Sequence, residues 1–295
     1  MKRTHMKQDK DSRLFDFINV AILIAFTIII IVPIWNVLIS SFSSGRSLAE
    51  GGVALWPTEF SLENYRAVFR DSSIFQAFFI SVAKTVVGVV THVFFCAMVA
   101  YGLSKQHLKG RKLYTAMGIV TMFFSGGMVP TYLLIKDLGL LNSFWVYIIP
   151  ALFSYYDVVI LMNFFRGVPD SLEESAKLDG AGDWRIFLSI FLPLSKPALV
   201  TIALFNGVNQ WNDFMTTKLY ITNQALYPLQ MKLYEIIVQS QTQSMQNMGG
   251  TAIIETTTKG VQLATIVVTT LPIIFIYPLL QRYLISGMMS GAVKE

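Results

Sequence analysis

A chain of 295 residues with 54 % hydrophobic residues and only 14 % charge is far more apolar than a soluble domain, in which charged residues make up about a quarter. The net charge of +5 comes from basic residues scattered between apolar runs, with no stripe and no interleaved aromatics, which argues against nucleic acid as a partner. Cys96, the single cysteine, lies inside an apolar run and excludes both a disulfide framework and a Cys-based metal site within the chain.

Six stretches approach or reach the roughly 20 apolar residues that cross about 30 Å of hydrocarbon, so the expected fold class is an all-α membrane protein with six transmembrane helices. Phe17–Ile39 is uncharged and too long for the h-region of a cleaved signal, so it reads as a retained first span. In the loop after it, "ALWPTEFSLENYRAVF", Pro57 and Ser61-x-x-Asn64 predict a short helix with Leu62, Tyr65 and Phe69 on one side. Ile74–Leu103 carries one charge, Lys84; Thr85–Ser104 alone could span and would leave the amine near an interface. His92 there reads as a bonded interior residue, with no second His or carboxylate at metal spacing.

Leu113–Ile135 is uncharged, and its "SGGMVP", Ser125 to Pro130, predicts a kink. Met117, Met122 and Met128 read as packing residues. Leu138–Phe165 is apolar apart from Asp157, which costs on the order of 3 kcal/mol at a helix centre and needs a partner, for which Lys84 is a candidate, or water. Pro197–Asn212 is short. Its Asn206 and Asn209 stand at i and i+3 with Asp213 at i+7 and Gln210 beside them, a polar stripe that cannot face lipid. In the following loop, "QSQTQSMQNMGG" has no apolar period and is either a solvated excursion or a partner-facing surface. Val261–Leu280 completes the set.

Lys and Arg set the orientation. They cluster before the first span, between the second and third (Lys105, Lys109, Arg111, Lys112), and between the fourth and fifth (Arg166, Lys177, Arg185, Lys196). Those segments and both termini are expected on the cytoplasmic side of a multi-pass protein of the cell (inner, cytoplasmic) membrane. The expected organisation is a cytoplasmic tail at 1–16, a six-span domain at 17–285 and a cytoplasmic tail at 286–295.

The loop "EESAKLDGAGDWRIFLSIFLPLSKPAL", Glu173 to Leu199, is polar and jointed. Ser171 stands three residues before Glu174, the spacing of a capping box, and Gly180 suits the left-handed stop of a helix. Asp183 can cap a second helix whose Trp184, Phe187, Leu188 and Phe191 form an apolar face, with Pro193 as its end. Two short helices on a glycine joint either grip a partner's groove or fold back on the bundle.

Glu174-Ser175-Ala176, three residues, Gly180, nine residues, then Ile190-x-Leu192-Pro193 resembles the EAA loop of permease subunits in ATP-binding-cassette (ABC) importers. The one departure is Ser175 for an alanine. "SLEESAKLDGA", "MVPTYLLIKDLGLLNSFWVYIIPALF", "NQWNDF" and "LLQRYLISGMMSGAVKE" are similar to the carbohydrate-uptake permeases, especially the smaller maltose-importer permease and LplC-type permeases. The resemblance implies a type I ABC importer permease fold (MetI-like) with residues 168–196 as coupling loop. Glu174, Ala176, Asp179 and Gly180 would then sit in the groove of a separate ATPase, and Ile190, Leu192 and Pro193 would pack the second helix.

It further implies a second homologous permease, two cytoplasmic ATPase subunits, an extracytoplasmic solute-binding protein and an oligosaccharide moved by alternating access. The chain itself would hold no cofactor: ATP and Mg belong to the ATPase, and no G-x-x-x-x-G-K-[ST] phosphate loop occurs here. It would be a transporter subunit and no enzyme. On this reading Asn206, Asn209, Gln210, Asp213 and Asp157 line the sugar path and Trp211 can stack on a sugar face; hydrogen bonding between helices is the alternative. The rival functions are an ion-coupled secondary sugar transporter, with charges paired near the midplane, and a membrane-anchored interaction or sensor subunit.

Overall fold

The computed structural model describes residues 10–50, 56, 57, 59–246, 259–276, 278 and 281, and their regular structure is helical. The C-terminal tail, the start of the N-terminal tail and the last four residues of "QSQTQSMQNMGG" lie outside the described residues. The chain divides into two compact units, residues 1–70 with 237–268 and residues 71–236 with 269–295.

In the first unit α1 (Lys10–Ser41) contains the expected first span, with large apolar side chains exposed from Phe15 to Trp35. After α2 (Gly45–Glu50) comes α3 (Glu63–Arg70), started by Ser61, whose Oγ accepts from the Glu63 N–H at 3.2 Å. The expected face is corrected: Asn64 and Val68 are buried, whereas Leu62 and Phe69 are exposed. Asn64 turns inward because its amide donates to the Ser41 and Ser43 carbonyls at 3.1 and 3.0 Å, bonds an apolar residue could not make. Gly260 approaches it so closely that a Cβ there would lie 2.4 Å from Oδ1.

The second unit holds α4 (Ser72–Ser104), α5 (Arg111–Phe123), α6 (Met128–Asp137), a 3-10 turn (Phe144–Tyr147), α7 (Tyr155–Arg166) and α8 (Asp170–Leu178). A continuous helical run follows: α9 (Asp183–Ile186), a π-turn (Phe187–Phe191) and α10 (Leu192–Leu194). Then come α11 (Lys196–Asn212) and α12 (Met215–Tyr220). α13 (Leu229–Gln246) and α14 (Lys259–Ile276) have residues in both units. α13 carries a helix into the Gln- and Met-rich stretch that has no apolar period, because Gln, Met and Leu are good helix formers without one.

α4 packs against α7 and α11. Cys96, Ala97 and Ala100 are small enough for Val158, Leu161 and Phe165 of α7 to close on them, with Ala198 and Ile202 of α11 in the same core. α5 meets α7 at Gly118, where a Cβ would fall 2.0 Å from the buried Tyr155 ring.

Among the described residues three helices are long and apolar enough to cross a membrane alone, Phe15–Ser41, Ser72–Ser104 and Lys259–Ile276, and the number is five where each of two bent pairs counts as one span. The kink expected at "SGGMVP" is a full break of 117° between α5 and α6, opened by Gly127 at φ +85°. Leu138–Phe165 is not one continuous helix. Gly139 and Asn142 have positive φ, and Ser154 caps a helix of 12 residues, about 18 Å long. Asn142 is held in that conformation because its Oδ1 accepts from the backbone N–H groups of Thr222 and Asn223 at 2.6 and 3.0 Å.

Candidate functional site

The polar stripe of α11 faces a cavity of about 460 Å³ walled also by residues from α4, α7 and the loop before it, and α12. Asn206, Asn209, Gln210, Asp213 and Asp157 all line it, so the structure brings together five of the six residues expected along a path. Trp211 is the exception and a correction. It is 6 % exposed, its indole N–H donates to the Thr269 carbonyl at 3.0 Å, and it borders a separate, almost wholly apolar cavity of about 300 Å³ between α4, α11 and α14. Nothing flat is presented to the polar cavity from that position.

The pairing of Lys84 with Asp157 is likewise corrected. Lys84 is fully buried, does not snorkel, and donates to the Asp213 carboxylate at 3.1 Å and the Asp213 carbonyl at 2.9 Å, with the Tyr147 ring 4.6 Å away. Asp157 pairs with His92 instead, Nε2 to Oδ2 at 2.9 Å. The Ala151 carbonyl, 2.7 Å from His92 Nδ1, can only accept, so Nδ1 carries a proton and the Nε2–Oδ2 pair shares another.

In both pairs the basic side chain is the buried member, 0 and 3 % exposed, and the acidic one the open member, 27 and 20 %. The wall therefore offers carboxylate oxygens beside the amides of α11, while Asn206 Oδ1 is itself buried without a hydrogen-bond partner among the described residues. The Gln210 amide is committed to the Tyr147 carbonyl at 3.1 Å, beside Gly88. Such a surface accepts hydrogen bonds from hydroxyl groups.

The jointed loop is the second candidate. α8 begins at Asp170 with Pro169 at the N-cap, two residues earlier than the capping box requires, so Ser171 makes no capping bond. Asp183 likewise opens α9 from inside it, after Gly182. The expected stop at Gly180 stands: φ is +78°, the Gly180 N–H reaches the Lys177 carbonyl and the Ala181 N–H the Ala176 carbonyl, the paired bonds of a Schellman turn. Pro193 does not end the second helix. The π-turn redirects the Leu192 N–H to the Phe187 carbonyl, the missing proline N–H is absorbed there, and the run continues to Leu194.

The apolar face expected to grip a partner is split along its length. Phe187 and Phe191 are buried in the bundle core, 1 and 5 % exposed, against Tyr101; Trp184 and Leu188 face out. Ala176, Ile190 and Leu192 pack onto the same core from its edge, while Glu174, Ser175, Asp179, Gly180 and Pro193 are exposed. Two residues escaped the sequence reading. Leu178, at the tip of α8, is 89 % exposed. Glu173, overshadowed by its neighbour in the motif, bonds both Lys105 and Lys177. Among the described residues no group of three or more His, Cys, Asp or Glu is placed to hold a metal.

A family model described as "Binding-protein-dependent transport system inner membrane component" matches residues 11–290. The chain is 41 % identical to the polygalacturonan/rhamnogalacturonan transport system permease protein YtcP of Bacillus subtilis (strain 168), over 96 % of this chain and 99 % of that one. It is 40 % identical to protein LplC of the same organism, over 98 % of each. A solved chain of a bacterial ABC transporter involved in the import of the acidic polysaccharide alginate superposes with a TM-score of 0.85 at 29 % identity, over 94 % of this chain and 99 % of that one. Helical breaks, buried ion pairs and jointed loop thus sit in a chain that belongs to the inner-membrane permease components of binding-protein-dependent ABC transport systems, a transport subunit and not an enzyme.

Proposed function

We propose that this chain is the permease subunit of an ATP-driven importer that moves an oligosaccharide inward by alternating access. It acts with a second homologous permease, two cytoplasmic ATPases that bind ATP and Mg, and an extracytoplasmic solute-binding protein. Residues 168–196 are the coupling loop, and the loop and both termini are cytoplasmic. The sugar class is supported by the transport named for YtcP and by the alginate importer, and by the oxygen-rich wall of Asn206, Asn209, Asp213 and Asp157.

The observation that carries the coupling is the division of labour around Gly180. Leu178, Trp184 and Leu188 are free for a partner, while Phe187 and Phe191 root the second helix in the core shared by α4, α7 and α11. A displacement imposed on the exposed side is therefore transmitted to the helices beneath it as a rigid body.

The experiment is reconstitution in vesicles with the partner subunits and the binding protein. ATP-dependent oligosaccharide uptake is expected, and Gly180→Leu, whose left-handed backbone disfavours a side chain by about 1–2 kcal/mol, should insert but lose the ATPase. Paired charges inside the bundle are also what an ion-coupled carrier needs. Uptake that follows an ion gradient without ATP would overturn the proposal.

A further inference from the structure

The coupling loop is joined in sequence to α7 and α11, but its firmest polar tie is to α4. Lys105 ends α4 in extended backbone. Its ammonium hydrogen-bonds the Glu173 carboxylate of α8 and lies over two ring faces, 4.2 Å from the centroid of Tyr101 and 4.5 Å from that of Phe191. Those rings themselves meet edge to face at 4.9 Å. One cation therefore joins three segments: the end of α4, the first helix of the loop, and the π-turn of the second. Glu173 is 15 % and Lys105 25 % exposed at the side chain, so the contact is shielded from water on most sides, and Lys177 closes the other carboxylate oxygen at 2.8 Å. α4 in turn carries Lys84 and His92, which hold the two cavity carboxylates; Lys84 lies about 31 Å along the helix from Lys105.

We infer that the Glu173–Lys105 pair is a latch that makes α4 follow the coupling loop, so that the ATPase stroke reaches the helix pinning both cavity carboxylates. Glu173 and Lys105 are positioning residues in this role, touching neither nucleotide nor sugar, and the inference rests on the importer reading above. Without the latch the loop still docks and still turns α7 and α11, but the cytoplasmic end of α4 is driven only through its apolar contacts with Phe187 and Phe191 and follows incompletely, so strokes are wasted.

The test is the number of sugars moved per ATP hydrolysed by the full complex in vesicles. Glu173→Gln and Lys105→Met should each assemble and hydrolyse ATP, with the ratio reduced about five-fold, which corresponds to the loss of roughly 1 kcal/mol from a partly exposed pair. Lys105→Arg, which keeps the positive charge and a cation able to lie over the same rings, should restore it. Variants that keep the wild-type ratio, or that lose activity only by failing to assemble, would overturn the latch while leaving the importer reading intact. A wild-type complex without ATP-driven uptake would overturn both.

Discussion

The two members of the Lys84–Asp213 pair should not be equally costly to remove. In Asp213→Asn the side-chain oxygen can still accept from the Thr216 N–H, a 3.1 Å bond, and the amide nitrogen then replaces the oxygen that accepts from Lys84, so the change removes the charge and that one hydrogen bond. It strands an ammonium with 0 % exposure that retains only the 213 carbonyl and the Tyr147 ring. Breaking a buried pair in this sense costs about 3–5 kcal/mol, and the surviving contacts place this case near 3. Lys84→Met substitutes an apolar chain of similar length and leaves Asp213, 27 % exposed to the cavity, free to find water, for about 1–2 kcal/mol. At roughly 2 °C per kcal/mol for a chain of this size, the midpoints of thermal unfolding in detergent should fall by about 6 and 3 °C. The double variant, having no stranded charge, should resemble Lys84→Met alone, a non-additivity read directly from the cycle. If Asp213→Asn proved milder than Lys84→Met, or the two costs simply added, the assignment of the buried cation as the dependent partner would be wrong.

Gly118→Ala should destabilise by about 1–3 kcal/mol, since its methyl would enter the Tyr155 ring space; an unchanged midpoint of unfolding would refute that packing. Leu178→Ser should leave the midpoint alone and weaken capture of the ATPase about ten-fold, a loss of some 1.4 kcal/mol at the edge of a contact; undiminished capture would place the docking surface elsewhere. Partial burial raises the Glu173 carboxyl, but the hydrogen bonds from Lys105 and Lys177 outweigh it and hold the group below its usual 4.5, while Lys177 is raised above 10.5 by the same contact. The ties of α8 are therefore fully in place above pH 4.5 and lost as the pH falls through the depressed value below it. Hydrogen exchange of the α8 amides should report protection persisting below pH 4.5, and protection already lost above that value would count against the bridges.

The EAA spacing was readable because it is local: Glu174, Gly180 and Pro193 lie within 20 positions, and Gly180 takes the left-handed turn that its place in the pattern demands. The grip of the second helix was misread for an equally local reason. A 3.6-residue period puts Trp184, Phe187, Leu188 and Phe191 in one apolar stripe, but Phe187 and Phe191 form one edge of it and Trp184 and Leu188 the other, and only the first edge faces the core. The fourth span failed as a continuous helix where hydropathy ignores backbone signals. Gly139, Asn142 and Ser154 are turn and cap residues embedded in an apolar run, and each acts as one.

The charge pairing was lost at a different step. Hydropathy assigns depth in the membrane, and depth alone allowed Lys84 to meet Asp157. Direction around the helix decides instead. Lys84 and His92 are eight residues apart, which at 100° per residue sets them about 80° apart around α4. α11 and α7 both pack against α4, so one cation meets the carboxylate at the end of α11 and the other the one at the start of α7. The polar stripe at Asn206, Asn209 and Asp213 already fixed which face of α11 had to be wet, and Asp157 alone marked the wet side of α7. With both carboxylates on the cavity, the cations could only stand behind them, and that order, oxygens forward and charge compensated from the rear, lets an oxygen-lined wall persist inside an apolar bundle.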